Sequence, residues 1–340
     1  RKPIMNKRYD FPVPFGWYGV SLSRELAAGE VKPLQYFGKE LVLFRTESGE
    51  ARLLDAFCPH LGAHRGHGGK VKGEHIACPF HGWEFSGEGV CQHIPYAQNM
   101  PPRADGKQTV YSYPVVERNQ IVWAWYHPER IAPQWEVETV PEVGHPDWTE
   151  YRVYEWKFRA PIQEAAENAA DAAHFVYVHT SKEIPRGEIK HEAHKRFARY
   201  VGKAPDMDEE GNIDRTGTRW RDSLLETANF GPGQTLQRFM GMFDTIQLGL
   251  PTPIDSETLH LRFCFIQRKD MNATQQMMAK ALTDEISRQV EQDMPIWEHK
   301  IFQPNPILCD GDGPIAQFRR WFSQFYAPAP DDSQRIRAVS

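Results

Sequence analysis

Two short stretches carry metal-ligating side chains at close spacing, Cys58-Pro-His60 and Cys78-Pro-Phe-His81. Seventeen residues separate them, enough for a hairpin that turns one loop towards the other. Two thiolates and two imidazoles form a soft-to-borderline donor set, suited to zinc or to an iron–sulfur centre. In one binuclear iron–sulfur type, two Cys bind one iron and two His the other, which raises the potential above that of an all-Cys cluster. The surroundings favour iron–sulfur. Each Cys precedes a Pro, and Gly62, Gly66, Gly68, Gly69 and Gly82 would let backbone amides approach the sulfides. The competing reading, a structural zinc ribbon, usually pairs Cys-x-x-Cys with a similar knuckle.

A second group lies in ENAADAAHFVYVH, residues 167–179. Asp171 precedes His174 by three residues and shares its face on a helix. His174 and His179 are five apart, a rotation of about 140° on an ideal helix. Both can bind one metal only where the helix ends or bulges between them. Two neutral imidazoles and one carboxylate leave positions open for O₂, the donor set of non-haem Fe(II) oxygenases. The carboxylate is expected from residues 282–297, where Leu282, Ile286, Val290 and Trp297 make an apolar stripe at helical spacing. Asp293 falls on that stripe, about 20° from Leu282. An inward carboxylate is costly unless paired or metal-bound, so Asp293 is the expected third ligand and Glu285, at the flank, the alternative.

These side chains need elements to hold them. Residues 15–57 alternate short apolar runs with turns at Gly29, Gly38 and Ser48-Gly49, the texture of a β-meander. WEFSG, YSYPVVERN and QIVWAWY continue it, so the cluster loops belong to a small all-β unit, residues 1–126. Residues 127–150 hold four Pro and read as a linker or cover segment. A second domain, 151–326, opens with the strand-like YRVYEWKFRA and a helix after Pro161 that continues through the His pair. Polar, interrupted residues 181–217 read as long loops or a lid. Strands return over 220–268, followed by a helix from about Thr274 to Lys300, broken near Pro295. Residues 327–340 read as a loose tail. The fold class is α+β.

At 340 residues the chain is long enough for two cores. Net charge −5 gives no basis for nucleic-acid binding, and no apolar run reaches the length of a membrane span. Five scattered Cys form no disulfide framework, which points to a reducing cytoplasm. No Gly-rich dinucleotide fingerprint occurs, so electrons from NAD(P)H would arrive through a separate ferredoxin or flavin reductase.

The paired loops resemble those of Rieske proteins, Cys-x-His followed by Cys-x-x-His-Gly. Ala63 and Phe80 stand where the respiratory branch has cysteines that form a bracing disulfide, so the chain is similar to the oxygenase and ferredoxin branch. Asp-x-x-His-x₄-His after an Asn, with a helical Asp towards the C-terminus, is similar to the iron site of Rieske non-haem iron oxygenases. The resemblance implies an all-β Rieske [2Fe–2S] domain on Cys58, His60, Cys78 and His81. It implies a catalytic domain, an antiparallel sheet flanked by helices, with Fe(II) on His174, His179 and Asp293. It further implies a homotrimer in which Asp171 relays electrons from His81 or His60 of the partner subunit, while Asn168 orients the site or a water. QVEQDMPIWEHKIF and CDGDGPIAQFRRWFSQFY resemble the steroid branch, with its 3-ketosteroid 9α-hydroxylases and cholesterol 7-desaturases.

The expected function is therefore a terminal oxygenase that hydroxylates a steroid-like substrate with O₂. Oxidative demethylation, desaturation and ring dihydroxylation remain open, as does an electron carrier without substrate chemistry. Phe239, Met240, Phe243, Ile246 and Leu248 are the expected pocket residues, with Met suited to a bulky shape. His64, His67, His191 and His194 read as exposed or hydrogen-bonded histidines, and His260 as a satisfied core residue.

Overall fold

The computed structural model describes residues 8–327 apart from 180, 211 and 242, so almost all of the expected tail lies outside it. The chain divides into two compact units, residues 16–139 and residues 1–15 with 140–340.

The first unit is built from short antiparallel strands: β1 (Gly16–Leu22), β2 (Val31–Tyr36), β3 (Lys39–Arg45), β4 (Ala51–Asp55), β5 (Lys70–Lys72) and β6 (His75–Ala77). They continue with β7 (Glu84–Ser86), β8 (Cys91–His93), β9 (Ser112–Tyr113), β10 (Val115–Arg118) and β11 (Ile121–Tyr126). Three sheets result, ordered β1-β11-β10, β2-β3-β4-β9 and β5-β6-β7-β8. Val42, Phe44, Leu54, Ile76 and Phe85 fill the core beneath the cluster loops. The proline-rich stretch after Tyr126 is no free linker. Trp17 and Trp125 donate their indole N–H to the carbonyls of Trp135 and Ile131, and Asn119 donates to Glu138. By their contacts the two units divide between Thr139 and Val140, inside the stretch expected as a linker or cover segment.

The second unit is one seven-stranded antiparallel sheet with helices. Its strands are β12 (Arg152–Phe158), β13 (Arg186–Glu192), β14 (Lys195–Pro205), β15 (Trp220–Phe230), β16 (Thr235–Met240), β17 (Thr245–Pro253) and β18 (Leu259–Gln267), in the order β12-β18-β17-β16-β15-β14-β13. Residues 186–205 are thus a hairpin and not loop or lid. Their charged side chains hid a strand pattern in which Phe197, Ala198 and Tyr200 supply the packing. His260 on β18 bonds Glu155 at 2.9 Å, and burial holds its imidazole down to about 4.

Among the described residues, four helices complete the unit: α1 (Ile162–Glu167), α2 (His174–Tyr177), α3 (Ala273–His299) and α4 (Ile315–Ser323). Asn272 caps α3 in a capping box with Gln275. The expected break at Pro295 does not occur. Proline costs one intrahelical bond there. Buried Trp297 anchors the last turn, and Arg8 and Tyr9 donate to the terminal carbonyls of Trp297 and Lys300. Phe11 stacks on Tyr326, and the Phe15 amide bonds Phe325. The segment before β1 thus packs with the C-terminal residues and not with the first unit, where the sequence reading placed it.

Glu167 at the end of α1 accepts from Nε and Nη2 of Arg319 on α4, at 2.6 and 2.8 Å. Both side chains are nearly buried, so Arg319→Met leaves an uncompensated carboxylate and is expected to cost about 3 kcal/mol in urea unfolding. Restoration by a second change, Glu167→Gln, would show the charge to be the cause. Wild-type stability in Arg319→Met alone would refute it.

Candidate metal centres and cavity

The Cys-x-His and Cys-x-x-His loops repeat one backbone turn. The Cys58 and Cys78 amides donate to Ala63 and Trp83, and the two Cys carbonyls accept from Gly62 and Gly82. Both glycines take positive φ, 78° and 73°, which other residues adopt at a cost. The loops leave β4 and β6 side by side, with the thiols buried in one apolar cluster and the imidazoles half-exposed above them. The His60 and His81 rings lie 4.8 Å apart, and Trp83 stacks on His60.

Burial raises the Cys58 thiol to about 11, a poor setting for a free thiolate. Beneath the loops Arg65 is fully buried; it donates to Asp55 and Ala56, lies over the Phe85 ring, and has no partner at Nη1. A buried cation that bonds only carbonyls and leaves Nη1 without a partner, beside two thiols, calls for negative charge, which iron-bound thiolates supply. The donor set and this cation fit a [2Fe–2S] cluster with two Cys and two His ligands. Arg65 carried no signal in the sequence. All five Cys are free, and Ala63 and Phe80 leave no brace.

The second centre depends on an interrupted helix. α1 ends at Glu167, a turn follows, and α2 runs only to Tyr177, so His179 lies past its end. Arg196 and Tyr200 clamp the turn by donating to the Ala169 carbonyl at 2.8 and 2.6 Å. The break brings the His174 and His179 rings to 5.0 Å between centroids. Asp293 comes from α3, and one donor atom of each of the three lies within 4.8 Å of the others. Leu282, Ile286, Val290 and Trp297 are buried on the same side of α3. Glu285 stands apart, paired with Arg215 and Arg288.

Hydrogen bonds fix each donor. Nδ1 of His174 pairs with the Asp171 carbonyl, and Nδ1 of His179 with Gln292 Oε1 at 3.0 Å. A carbonyl only accepts, so both Nδ1 atoms carry the proton and both Nε2 lone pairs are free to ligate. Burial lowers the His174 pKa and keeps that ring neutral. Asn168 donates to Asp293 Oδ2 at 3.0 Å and accepts from the Trp297 indole. Nε2 of His179 faces the same carboxylate at 3.3 Å. Two neutral imidazoles and an oriented carboxylate fit Fe(II) with positions left open. The Asp171 side chain accepts from the His174 amide and stays 40% exposed, open to approach from outside.

Gln292 was invisible to sequence periodicity because it ligates nothing. Replacing it by Leu frees the His179 ring and is expected to weaken iron binding about 10-fold or more, read by competition with a chelator. Unchanged affinity would leave Gln292 no part in holding that ring.

The iron-type donors open onto a cavity of about 180 Å³ lined by Phe175, Leu225, Phe239, Phe263, Ile286 and Val290, among others. A second chamber of about 140 Å³ adjoins it and takes in Met240 and Phe243. Ile246 and Leu248 line neither. They alternate with Gln247 along β17, and it is Gln247 that reaches the cavity.

Residues 16–114 match the Rieske [2Fe-2S] domain family, and residues 124–326 match the 3-ketosteroid 9alpha-hydroxylase C-terminal domain family. The chain is 30% identical to a 3-ketosteroid-9-alpha-monooxygenase oxygenase component from Rhodococcus rhodochrous, over 94% of this chain and 85% of the relative. It is 31% identical to a cholesterol 7-desaturase from Ciona intestinalis, over 96% of this chain and 71% of that protein. A crystal structure of dicamba monooxygenase bound to dicamba shares the fold at TM-score 0.72 and 18% identity, covering 91% of this chain and 96% of that one. Among the described residues no helix is long and apolar enough to cross a membrane.

Proposed function

Because this chain belongs to the Rieske oxygenases of the 3-ketosteroid 9α-hydroxylase family, we propose that it is a terminal oxygenase component that hydroxylates a steroid-like substrate with O₂. Cys58, His60, Cys78 and His81 would hold the cluster, and His174, His179 and Asp293 the iron. When bound, the cluster supplies electrons singly and the iron supplies the site of O₂ activation.

The chain's own residues do the rest. Gln292 and the Asp171 carbonyl keep both imidazole lone pairs on the metal side, and Asn168 holds the carboxylate. The apolar walls keep water from the reacting carbon. Asp171, exposed beside His174, is the carboxylate we assign to electron entry from a partner subunit of a homotrimer. A separate reductase oxidises NAD(P)H and passes the electrons to the oxygenase. Free cysteines suit a cytoplasmic setting.

One observation carries this reading: the three iron-type donors converge on an apolar cavity of the same unit. A pure electron carrier has no use for either. Incubation of the reconstituted enzyme and reductase with a steroid panel, followed by mass spectrometry, is expected to give products one oxygen heavier. Loss of two hydrogens would mean desaturation, the activity named for the Ciona relative. No conversion of any steroid by protein loaded with both metals would overturn the proposal.

A further inference from the structure

Besides the metal-type donors and separate polar side chains such as Asn168, Tyr200, Asn229, Thr235 and Gln289, the largely apolar cavity carries one polar row that crosses three strands in register. Thr227 on β15 pairs in register with Gln237 on β16, which pairs with Gln247 on β17. Cross-strand partners point to one face, and all three line the chamber that holds the iron-type donors. Gln247 is completely buried, yet neither its Oε1 nor its Nε2 has a partner, and Thr227 Oγ1 has none either. Gln237 lies between them. Buried amides without partners are rare and destabilising, so the row asks for a ligand atom.

We propose that Thr227, Gln237 and Gln247 form a polar rung that receives an oxygen function, a ketone or a hydroxyl, on an otherwise apolar substrate. An amide both donates and accepts, and a threonine hydroxyl does the same, so the rung takes either oxygen type. The rung sits on the sheet while Asp293 comes from α3, so one bond to the ligand fixes which part of its apolar body faces the metal donors. The inference rests on the steroid-like substrate in naming the ligand, but the rung itself does not.

Binding to the holoenzyme by equilibrium dialysis separates the two claims. Androstanone is compared with androstane, and naphthol with naphthalene. Wild-type protein is expected to prefer androstanone about 10-fold or more, and Gln247→Leu to abolish that preference while leaving androstane binding in place. The same variant removes an unpartnered buried amide, so the ligand-free melting temperature is expected to stay level or rise. Equal weakening of androstanone and androstane, or a preference that survives in Gln247→Leu, would overturn the rung. A Gln247-dependent preference for naphthol without binding of either steroid would keep the rung and remove the steroid reading. No preference for the oxygen-bearing member of either pair would overturn the rung outright.

Discussion

Replacing Asp293 by Ala is expected to empty the iron site and abolish turnover while the visible spectrum of the cluster stays as in wild type. Asp293 is the one carboxylate among the three converging donors and lies nearly buried on the inward stripe of α3. Its loss leaves two imidazoles, too few for an open-sided Fe(II) site, and strands the Asn168 amide that now bonds it. Iron should fall from about one per chain at this site to background, and turnover by about 10³-fold or more, as when one member of a catalytic unit is removed. The cluster loops belong to the other compact unit, so their absorbance should not change. Metal analysis and absorbance on one sample read both. Iron retained with undiminished turnover would remove Asp293 from the ligand set.

The second expectation separates binding of the metals from their use. In Asp171→Asn both metals should remain and steady-state turnover should fall about 100-fold or more, the upper range for groups that act just behind a ligand. Asn keeps the size and the oxygen that accepts the His174 amide, and the backbone carbonyl that orients His174 is untouched. What disappears is a negative charge at an exposed position beside a metal-type imidazole. Single-turnover rates after chemical reduction of the cluster are the direct measure. Rates equal to wild type would leave Asp171 a merely local role.

Both candidate sites stood out in the chain because their donors are chemically distinctive and their spacing is short, or because one charge sits where charge is costly, as Asp293 does. The all-β unit and the strands over 220–268 followed from alternation and turn residues, while the antiparallel sheet of the second unit was implied by the resemblance. The misreadings have physical causes. Residues 186–205 carry so many charges that their alternation was masked, and Pro295 was read as a break although Arg8 and Tyr9 support the helix from almost the whole chain length away. Two of the five expected pocket residues fall outside both cavities, while Phe239, Met240 and Phe243 line them. Apolar character selected Ile246 and Leu248, but strand alternation sends the polar residue between them to the cavity. Arg65, Gln292 and Gln247 act through what they touch after folding, and no local pattern marks them.

The short segment from Arg8 to Phe15 packs with the last helices, and a complete β unit intervenes before the rest of that body begins at Val140. The larger body is therefore discontinuous in sequence, and no single cut can release it whole. A proteolytic nick near Thr139 would separate it from the residues that close the end of α3. Excision in working form requires two cuts, with the leading segment kept or supplied in trans, and a shuffled oxygenase built by exchanging everything after one junction inherits its first residues from the wrong parent.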